Sequence, residues 1–227
     1  MTPLYIIPAR GGSKGILHKN IRPFCGKPLI VHSIECARAA GAPDSHIIVS
    51  TDDDAIAEAA RKTGLPVPYR RPDVLGGDTV GSREVMLDVM DWADSHGIAY
   101  DCVVLLQPTS PLRTAADVKG ALSLYRPDID MVVSVCEAAS NPYYTCFEPE
   151  GPEGFLHISK GDGMYTRRQD CPKVWEYNGA VYVINPDSLR RMPMGAFSRR
   201  LPSVMPRERS VDLDTPTDWM VAEALVQ

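Results

Sequence analysis

The chain has 227 residues, 44% of them hydrophobic, with a formal net charge of −5. That length and apolar content suffice for one sizeable core, and the acidic balance excludes non-specific nucleic-acid binding, which needs a basic surface. No apolar run approaches the roughly 18 residues a membrane-spanning helix needs, and the amino terminus enters a strand without a leader-like pattern, so a cytoplasmic protein with no membrane contact is expected.

A strand over Leu4–Ile7 runs into a loop holding Gly11, Gly12 and Gly15, interleaved with the cations Arg10, Lys14, Lys19 and Arg22. Glycines let backbone N–H groups approach a ligand closely, and the cations add long-range charge. Together they describe a polyphosphate cradle at the carboxyl edge of a sheet. The spacing is neither GxxxxGK[ST] nor GxGxxG, and the alternative is a surface loop with solvated cations.

Helical spacing of Leu29, Ile30, Ile34 and Ala37 predicts a helix over Lys27–Ala40, stopped by Gly41. His46–Ser50 reads as a strand ending in three aspartates, Asp52 to Asp54, which suit the start of a helix over Ala55–Thr63. Pro66–Tyr69 is a candidate third strand, and Ser82–His96 is amphipathic. Cys102–Leu106 is a continuous apolar run, as for a central strand covered on both faces. Ala115–Tyr125 reads as helix and Met131–Cys136 as strand, and the alternation predicts an open, mainly parallel α/β sheet. Glu137–Glu176 then breaks the pattern, being polar and rich in Pro, Gly and aromatics, too long for an ordinary connection. Ala180–Ile184 resumes as strand, and Thr215, Pro216 and Asp218 mark the start of a terminal helix. The six cysteines lack CxxC spacing, which points to reduced, mostly buried thiols rather than a metal knuckle or disulfide framework.

Four further stretches carry candidate chemistry. Arg71, followed by Gly76, Gly77 and Ser82, could read a base edge or simply form a capped helix entry. Gln107 to Arg113 follows the central strand, where loops line the ligand crevice of a doubly wound sheet, and two prolines stiffen it. Arg167 and Arg168, with Tyr177-Asn178-Gly179, suit capture of a carboxylate or form a basic surface or subunit contact. Asp212 and Asp214 alternate along an extended segment, a candidate hard-cation site of the kind Mg²⁺ completes with water and phosphate, though paired surface aspartates are common.

PARGGSKGI, KN, VSTDD, LQPTSPLR, NGAVYV and RSVDLDT, in this order from about Ile6 to Asp218, resemble the acylneuraminate cytidylyltransferases, including bacterial relatives for legionaminic and pseudaminic acid. The resemblance implies a Rossmann-like nucleotidyltransferase fold over residues 1–227, an open, mainly parallel sheet with helices on both faces. It also implies that 137–176 forms a small protruding region for dimerisation and the sugar site, in a homodimer. The implied reaction transfers CMP from CTP to the anomeric hydroxyl of a nonulosonic acid, releasing pyrophosphate, with Mg²⁺. By position, Arg10, Gly11, Gly12, Ser13, Lys14, Lys19 and Asn20 match the triphosphate and ribose site, and Arg71, Val80 and Ser82 the cytosine site. Gln107, Tyr144, Arg168, Asn178 and Tyr182 match sugar-side positions, and Asp212 and Asp214 the metal carboxylates. Arg10, Lys19 and Asp214 are the implied catalytic residues.

Three positions depart from the family pattern: Leu17 stands where Pro is frequent, Tyr144 where sialic-acid enzymes carry Lys, and Glu176 where Arg is frequent. The two lost cations flank the sugar side and leave the acceptor open, while VMPRERSVD resembles the legionaminic type. Rival readings are a synthetase for the eight-carbon Kdo, whose opening loop ends in a differently spaced Arg-Leu-Pro-Gly-Lys, and a non-catalytic nucleotide-binding module on the same core.

Overall fold

Alternate residues of strand β1 (Pro3–Pro8) point into two different cores: Tyr5 and Ile7 join one, Leu4 and Ile6 the other. This two-sided burial is the signature of a strand inside an α/β sheet. The computed structural model describes residues 1–12, 15–77 and 79–226.

After β1 come a small antiparallel ribbon, β2 (Pro23–Phe24) with β3 (Lys27–Pro28), and helix α1 (Leu29–Ala40). Gly41, at φ 103°, closes α1 in the left-handed conformation that glycine tolerates. Strand β4 (Ile47–Ser50) leads into α2 (Asp54–Arg61), whose first turn is capped by the Asp53 carboxylate accepting from the Ala55 and Ile56 amides. Next follow α3 (Ser82–Ser95), β5 (Cys102–Leu105), α4 (Ala115–Leu124) and β6 (Met131–Glu137). A hairpin of β7 (Phe147–Glu150) and β8 (Phe155–Ile158) precedes the long β9 (Trp175–Ile184). The chain ends with α5 (Pro186–Arg191), β10 (Arg200–Val204) and α6 (Pro216–Val226).

The central sheet runs β10-β6-β9-β5-β1-β4. All neighbouring pairs are parallel except those of β9, which is antiparallel to both β5 and β6. Helices α1, α2 and α4 cover one face with Ile34, Ile56 and Val118, while α3 and α5 cover the other with Met86, Val89 and Leu189. The expected open, mainly parallel sheet with helices on both faces is therefore present. No helix among the described residues is long and apolar enough to cross a membrane.

Three expectations need correction. Pro66–Tyr69 forms no strand: Pro66 and Pro68 lack the N–H a ladder needs, and Tyr69 instead turns its ring onto Trp92 and its hydroxyl to Asp88. The segment 137–176 is not wholly irregular, since it contains the β7–β8 hairpin, and β9 starts at Trp175 rather than Ala180. This earlier start is masked in the sequence by Gly179, whose φ of 72° interrupts the strand pattern. Pairing shifts there too, between Val133 and Val135 of β6, so a bulge sits where β9 meets the loop after β5.

Candidate active site

Strands β1, β4 and β5 are parallel, so the loops leaving their carboxyl ends open at one edge of the sheet. A cavity of about 420 Å³ lies there. From the loop after β1 it takes Arg10, Gly15, Lys19 and Asn20, and from the loop after β5 Gln107 and Thr109. The segment entering α3 contributes Arg71, Val80 and Ser82, and Asp212 and Asp214 complete the wall.

A third apolar cluster explains how residues so far apart in sequence meet. Ile16 of the first loop, Phe24 and Leu29 pack with Leu213, Trp219 and Ala222 from the other end of the chain. Leu213 is fully buried, which turns its two flanking aspartates toward solvent and cavity. Its amide donates to the Thr109 carbonyl at 2.8 Å, so the acidic segment is also tied to the loop after β5. Gly15 must be glycine here, because a Cβ would fall 2.2 Å from the Asp214 carbonyl oxygen. Arg209 adds a further tether, donating from Nε (3.0 Å) and Nη2 (2.8 Å) to the Asp117 carboxylate that caps α4.

Lys19 sits at the centre of this junction. Its Nζ donates to the Leu213 carbonyl at 2.7 Å and to Asp214 Oδ1 at 3.2 Å. The Lys19 side chain is only 12% exposed, whereas that of Asp214 is 73% exposed. Asn20 is buried and its Nδ2 donates to the Arg10 carbonyl at 3.0 Å, fixing the backbone that carries Arg10. Arg71 is buried, with Nε on Ser50 Oγ (3.0 Å) and Nη2 on the Ser50 carbonyl (2.8 Å). Burial lowers the Arg71 pKa, and Arg10's charge lowers it further, against the opposing pull of Asp52. Asp212 behaves in the opposite sense: burial raises its carboxyl pKa, and the charge on Asp214 adds to the rise.

The donor set fits a divalent cation of the Mg²⁺ kind. Among the described residues no group of three or more His, Cys, Asp or Glu gathers at one point, so a closed protein cage is absent. Two carboxylates facing one cavity, one of them desolvated, are the arrangement Mg²⁺ takes when water and phosphate supply its remaining ligands.

The expected site residues divide into those on the cavity wall, those off it and two that are not described. Arg10, Lys19, Asn20, Arg71, Val80, Ser82, Gln107, Asp212 and Asp214 line the cavity. Ser13 and Lys14 lie outside the described residues. Gly11 and Gly12 do not line the cavity, and the Gly11 amide donates to Asp52 Oδ1 at 3.1 Å. Tyr144, Arg168, Asn178 and Tyr182 also lie off the cavity wall. The Tyr144 hydroxyl donates to the Thr166 carbonyl (3.4 Å) and Arg168 Nη2 to the Ala138 carbonyl (2.8 Å). Tyr182 comes within electrostatic reach of Asp212, and burial pushes its phenol up to about 12.

Asn178 does internal work. Its Oδ1 accepts from Ser134 Oγ (2.6 Å) and the Ala180 amide (3.2 Å), while Nδ2 donates to Ser210 Oγ (2.9 Å) and Met205 Sδ (3.4 Å). Both lone pairs and both N–H groups are thereby used, so Asn178 knits β9 to β6 and to the segment before Asp212. Thr109 and Asp52 were not singled out from sequence. A Thr between two prolines and an Asp beside a helix cap both have routine local explanations, and only the tertiary contacts distinguish them.

A family model described as Cytidylyltransferase matches residues 4–149. The chain belongs to the cytidylyltransferase family. Within it, the chain is 35% identical over 223 residues to an N-acylneuraminate cytidylyltransferase of Streptococcus agalactiae serotype V, covering 97% of this chain and 52% of the relative. The chain thus spans about half the length of that relative. A CMP-N,N'-diacetyllegionaminic acid synthase of Legionella pneumophila is 30% identical over 228 residues, covering 100% of this chain and 97% of the relative. Among solved structures, a CMP:2-keto-3-deoxy-manno-octonic acid synthetase complexed with CTP superposes with a TM-score of 0.69 at 20% identity, over 100% of this chain and 98% of that one. At that identity the likeness shows the nucleotidyltransferase fold.

Proposed function

We propose that this cytidylyltransferase-family chain transfers CMP from CTP to the anomeric hydroxyl of a nonulosonic acid, of the sialic or legionaminic type, with release of pyrophosphate. The observation that carries this reading is the meeting of Lys19 with Asp214 on one cavity wall, where cations for a triphosphate lie beside carboxylates for its counter-ion. The names of the Streptococcus and Legionella relatives support the acceptor class.

The residues divide the labour by position. Arg10 and Lys19 neutralise charge on the phosphates, which matters most as the pyrophosphate leaves. Arg71, Ser82 and the backbone at Val80 form the wall against which the cytosine rests. Gln107, from the loop after β5, orients the acceptor for in-line attack of its anomeric oxygen on the α-phosphorus. Asp212 and Asp214 would hold Mg²⁺, which when bound supplies charge neutralisation of the triphosphate and a lower pKa for the attacking hydroxyl. Lys19 has a second role, since its ammonium balances Asp214 in the protein itself.

The chain is proposed to act as one cytidylyltransferase unit over residues 1–227 and as a homodimer. Phe155 and Leu156 of the β7–β8 hairpin are 65% and 67% exposed, and Met164 nearby is 76% exposed, so the 137–176 region presents apolar surface suited to a second copy. All six cysteines are free thiols, consistent with a reducing cytoplasm as the site of action.

Pyrophosphate release, measured across the four nucleoside triphosphates and a panel of acids including N-acetylneuraminate, a legionaminate and Kdo, tests the proposal. Turnover is expected with CTP and a nonulosonic acid. Turnover with Kdo alone selects the eight-carbon reading, and no release with any pair defeats the assignment.

A further inference from the structure

Asp52 lies at the carboxyl end of β4, between the two loops that the proposed reaction assigns to the phosphates and to the base. Its Oδ1 accepts from the Gly11 amide at 3.1 Å. Its Oδ2 is pressed against Gly76, where a Cβ would come within 2.6 Å of that oxygen and 3.2 Å of the Asp73 carbonyl. Its own carbonyl accepts from Arg70 Nη2 at 2.9 Å, and the Arg71 amide donates to the Thr51 carbonyl at 3.0 Å. Gly11 in turn has no room for a side chain, since its Cβ would fall 2.6 Å from Asp53 Oδ2. Two glycines from two loops therefore close around the Asp52–Asp53 pair. Asp53 is already accounted for as the cap of α2. Asp52 has no such duty, and its carboxylate stands close enough to Arg71 to shift that cation's ionisation.

We propose that Asp52 is a positioning residue that joins the phosphate-side loop to the base-side loop and so sets the affinity for a nucleoside triphosphate. A carboxylate beside an anion site is unfavourable by charge alone, since like charges repel. Its place in the fold makes sense if holding the Gly11 amide and the Gly76 turn in register outweighs that repulsion. The bond to Gly11 fixes the backbone immediately after Arg10, and the contact at Gly76 fixes the turn before Val80. With both held, the polyphosphate and base walls keep a constant separation. Asp52 touches no reacting atom in this scheme, so it acts on binding rather than on the chemical step.

The inference rests on the proposed function, and the test separates the two. Asp52→Ala, Asp52→Asn and Gly76→Ala are compared with wild type for steady-state kinetics with CTP and, by calorimetry, for binding of CTP and of inorganic tripolyphosphate. D52A is expected to raise the CTP KM and both dissociation constants about tenfold, with kcat within threefold of wild type. D52N keeps an oxygen for the Gly11 amide and loses the repulsion, so it should bind at least as tightly as wild type; a merely steric role would not give this reversal. G76A, which pushes on Oδ2 while leaving Asp52 in place, should weaken binding as D52A does, and it decides the matter should D52A fail to fold. Unchanged affinity in D52A, tighter binding in D52A, or D52N as weak as D52A would each overturn the inference while leaving the reaction intact. Conversely, a wild type that binds tripolyphosphate but never turns over CTP defeats the proposed reaction, and the variants' anion affinities still judge Asp52. Wild-type protein that binds neither anion overturns both.

Discussion

Gly179→Ala is a sharp perturbation because the structure separates its two costs. The residue sits at φ 72°, where an L-residue bears roughly 1–2 kcal/mol of backbone strain. Its new Cβ would also stand 2.7 Å from Gln107 Oε1, 3.4 Å from Ser110 Oγ and 3.5 Å from Asp212 Oδ2. The last is ordinary van der Waals contact; the first requires the Gln107 amide to swing away. Gly97→Ala makes the control: it has φ 68° but nothing within 4 Å of the added Cβ, and it lies beyond the end of α3. Each kcal/mol lowers Tm by about 2–4 °C in a domain of this size, so strain alone should cost both variants about 2–8 °C. Forcing Gln107 off its rotamer adds about 0.5–1.5 kcal/mol to the G179A loss only. Losing one Gln107 hydrogen bond to the acceptor, about 0.5–1.5 kcal/mol, raises the acceptor KM up to about tenfold. The CTP KM and the Mg²⁺ titration should hold, because Asp212 is not pushed. Thermal unfolding and acceptor-dependent pyrophosphate release measure both halves. If G179A and G97A share one Tm loss and G179A keeps a normal acceptor KM, then Gly179 does not seat Gln107 and the assignment of Gln107 to the acceptor side fails.

Other outcomes follow from the same geometry. Lys19→Ala should cut kcat by about 100-fold or more if its ammonium meets charge developing on the leaving phosphates; stopped-time assays near the wild-type rate would remove it from the mechanism. Asp214→Asn should weaken Mn²⁺ binding in the presence of CTP, followed by the loss of free-ion paramagnetic signal, and raise the Mg²⁺ needed for turnover; identical metal titrations would dismiss the acidic pair. Asp130 is held below the usual carboxylate range by the Arg199 amide, the Ser188 hydroxyl and the Ser198 amide. A carboxylate depressed in the folded state stabilises above its unfolded pKa of about 3.9 and loses that contribution as pH falls toward the folded value. Denaturant midpoints should therefore drop between pH 5 and pH 3, less steeply in Asp130→Asn, and equal slopes would discount it. If the proposed homodimer packs through this hairpin, replacing Phe155 and Leu156 together by Asp should shift the molar mass measured by light scattering from that of two chains to that of one, and a mass that the change leaves alone would reject the hairpin as the interface.

The elements legible in the sequence are those whose evidence is local. Residues Leu4 to Ile7 betray a strand buried on both faces by their unbroken apolar run, and Thr215 with Asp218 a helix start, because the run and the cap are written within a few positions. The glycines of the first loop were legible as special but not as to cause. Gly11 and Gly15 are small because Asp53 and the Asp214 carbonyl crowd them, so part of what reads as room for a ligand is room for the protein itself. The direction of β9 was illegible, since the chain makes an entire hairpin before entering it, and a strand entered that way can run either parallel or antiparallel. Asn178 shows the same limit: beside a tyrosine and a glycine it reads as a ligand contact, yet its partners are Ser134, Ala180, Met205 and Ser210. The decisive pairing, Lys19 with Leu213 and Asp214, spans 194 and 195 positions and is carried by a small apolar cluster rather than by any motif. It follows that the acidic pair owes its place to Leu213 and Trp219 as much as to its own charge. Replacing Leu213 with Ala should accordingly impair metal-dependent turnover although no carboxylate is touched, because the buried side chain between the two aspartates is what aims them into the cavity.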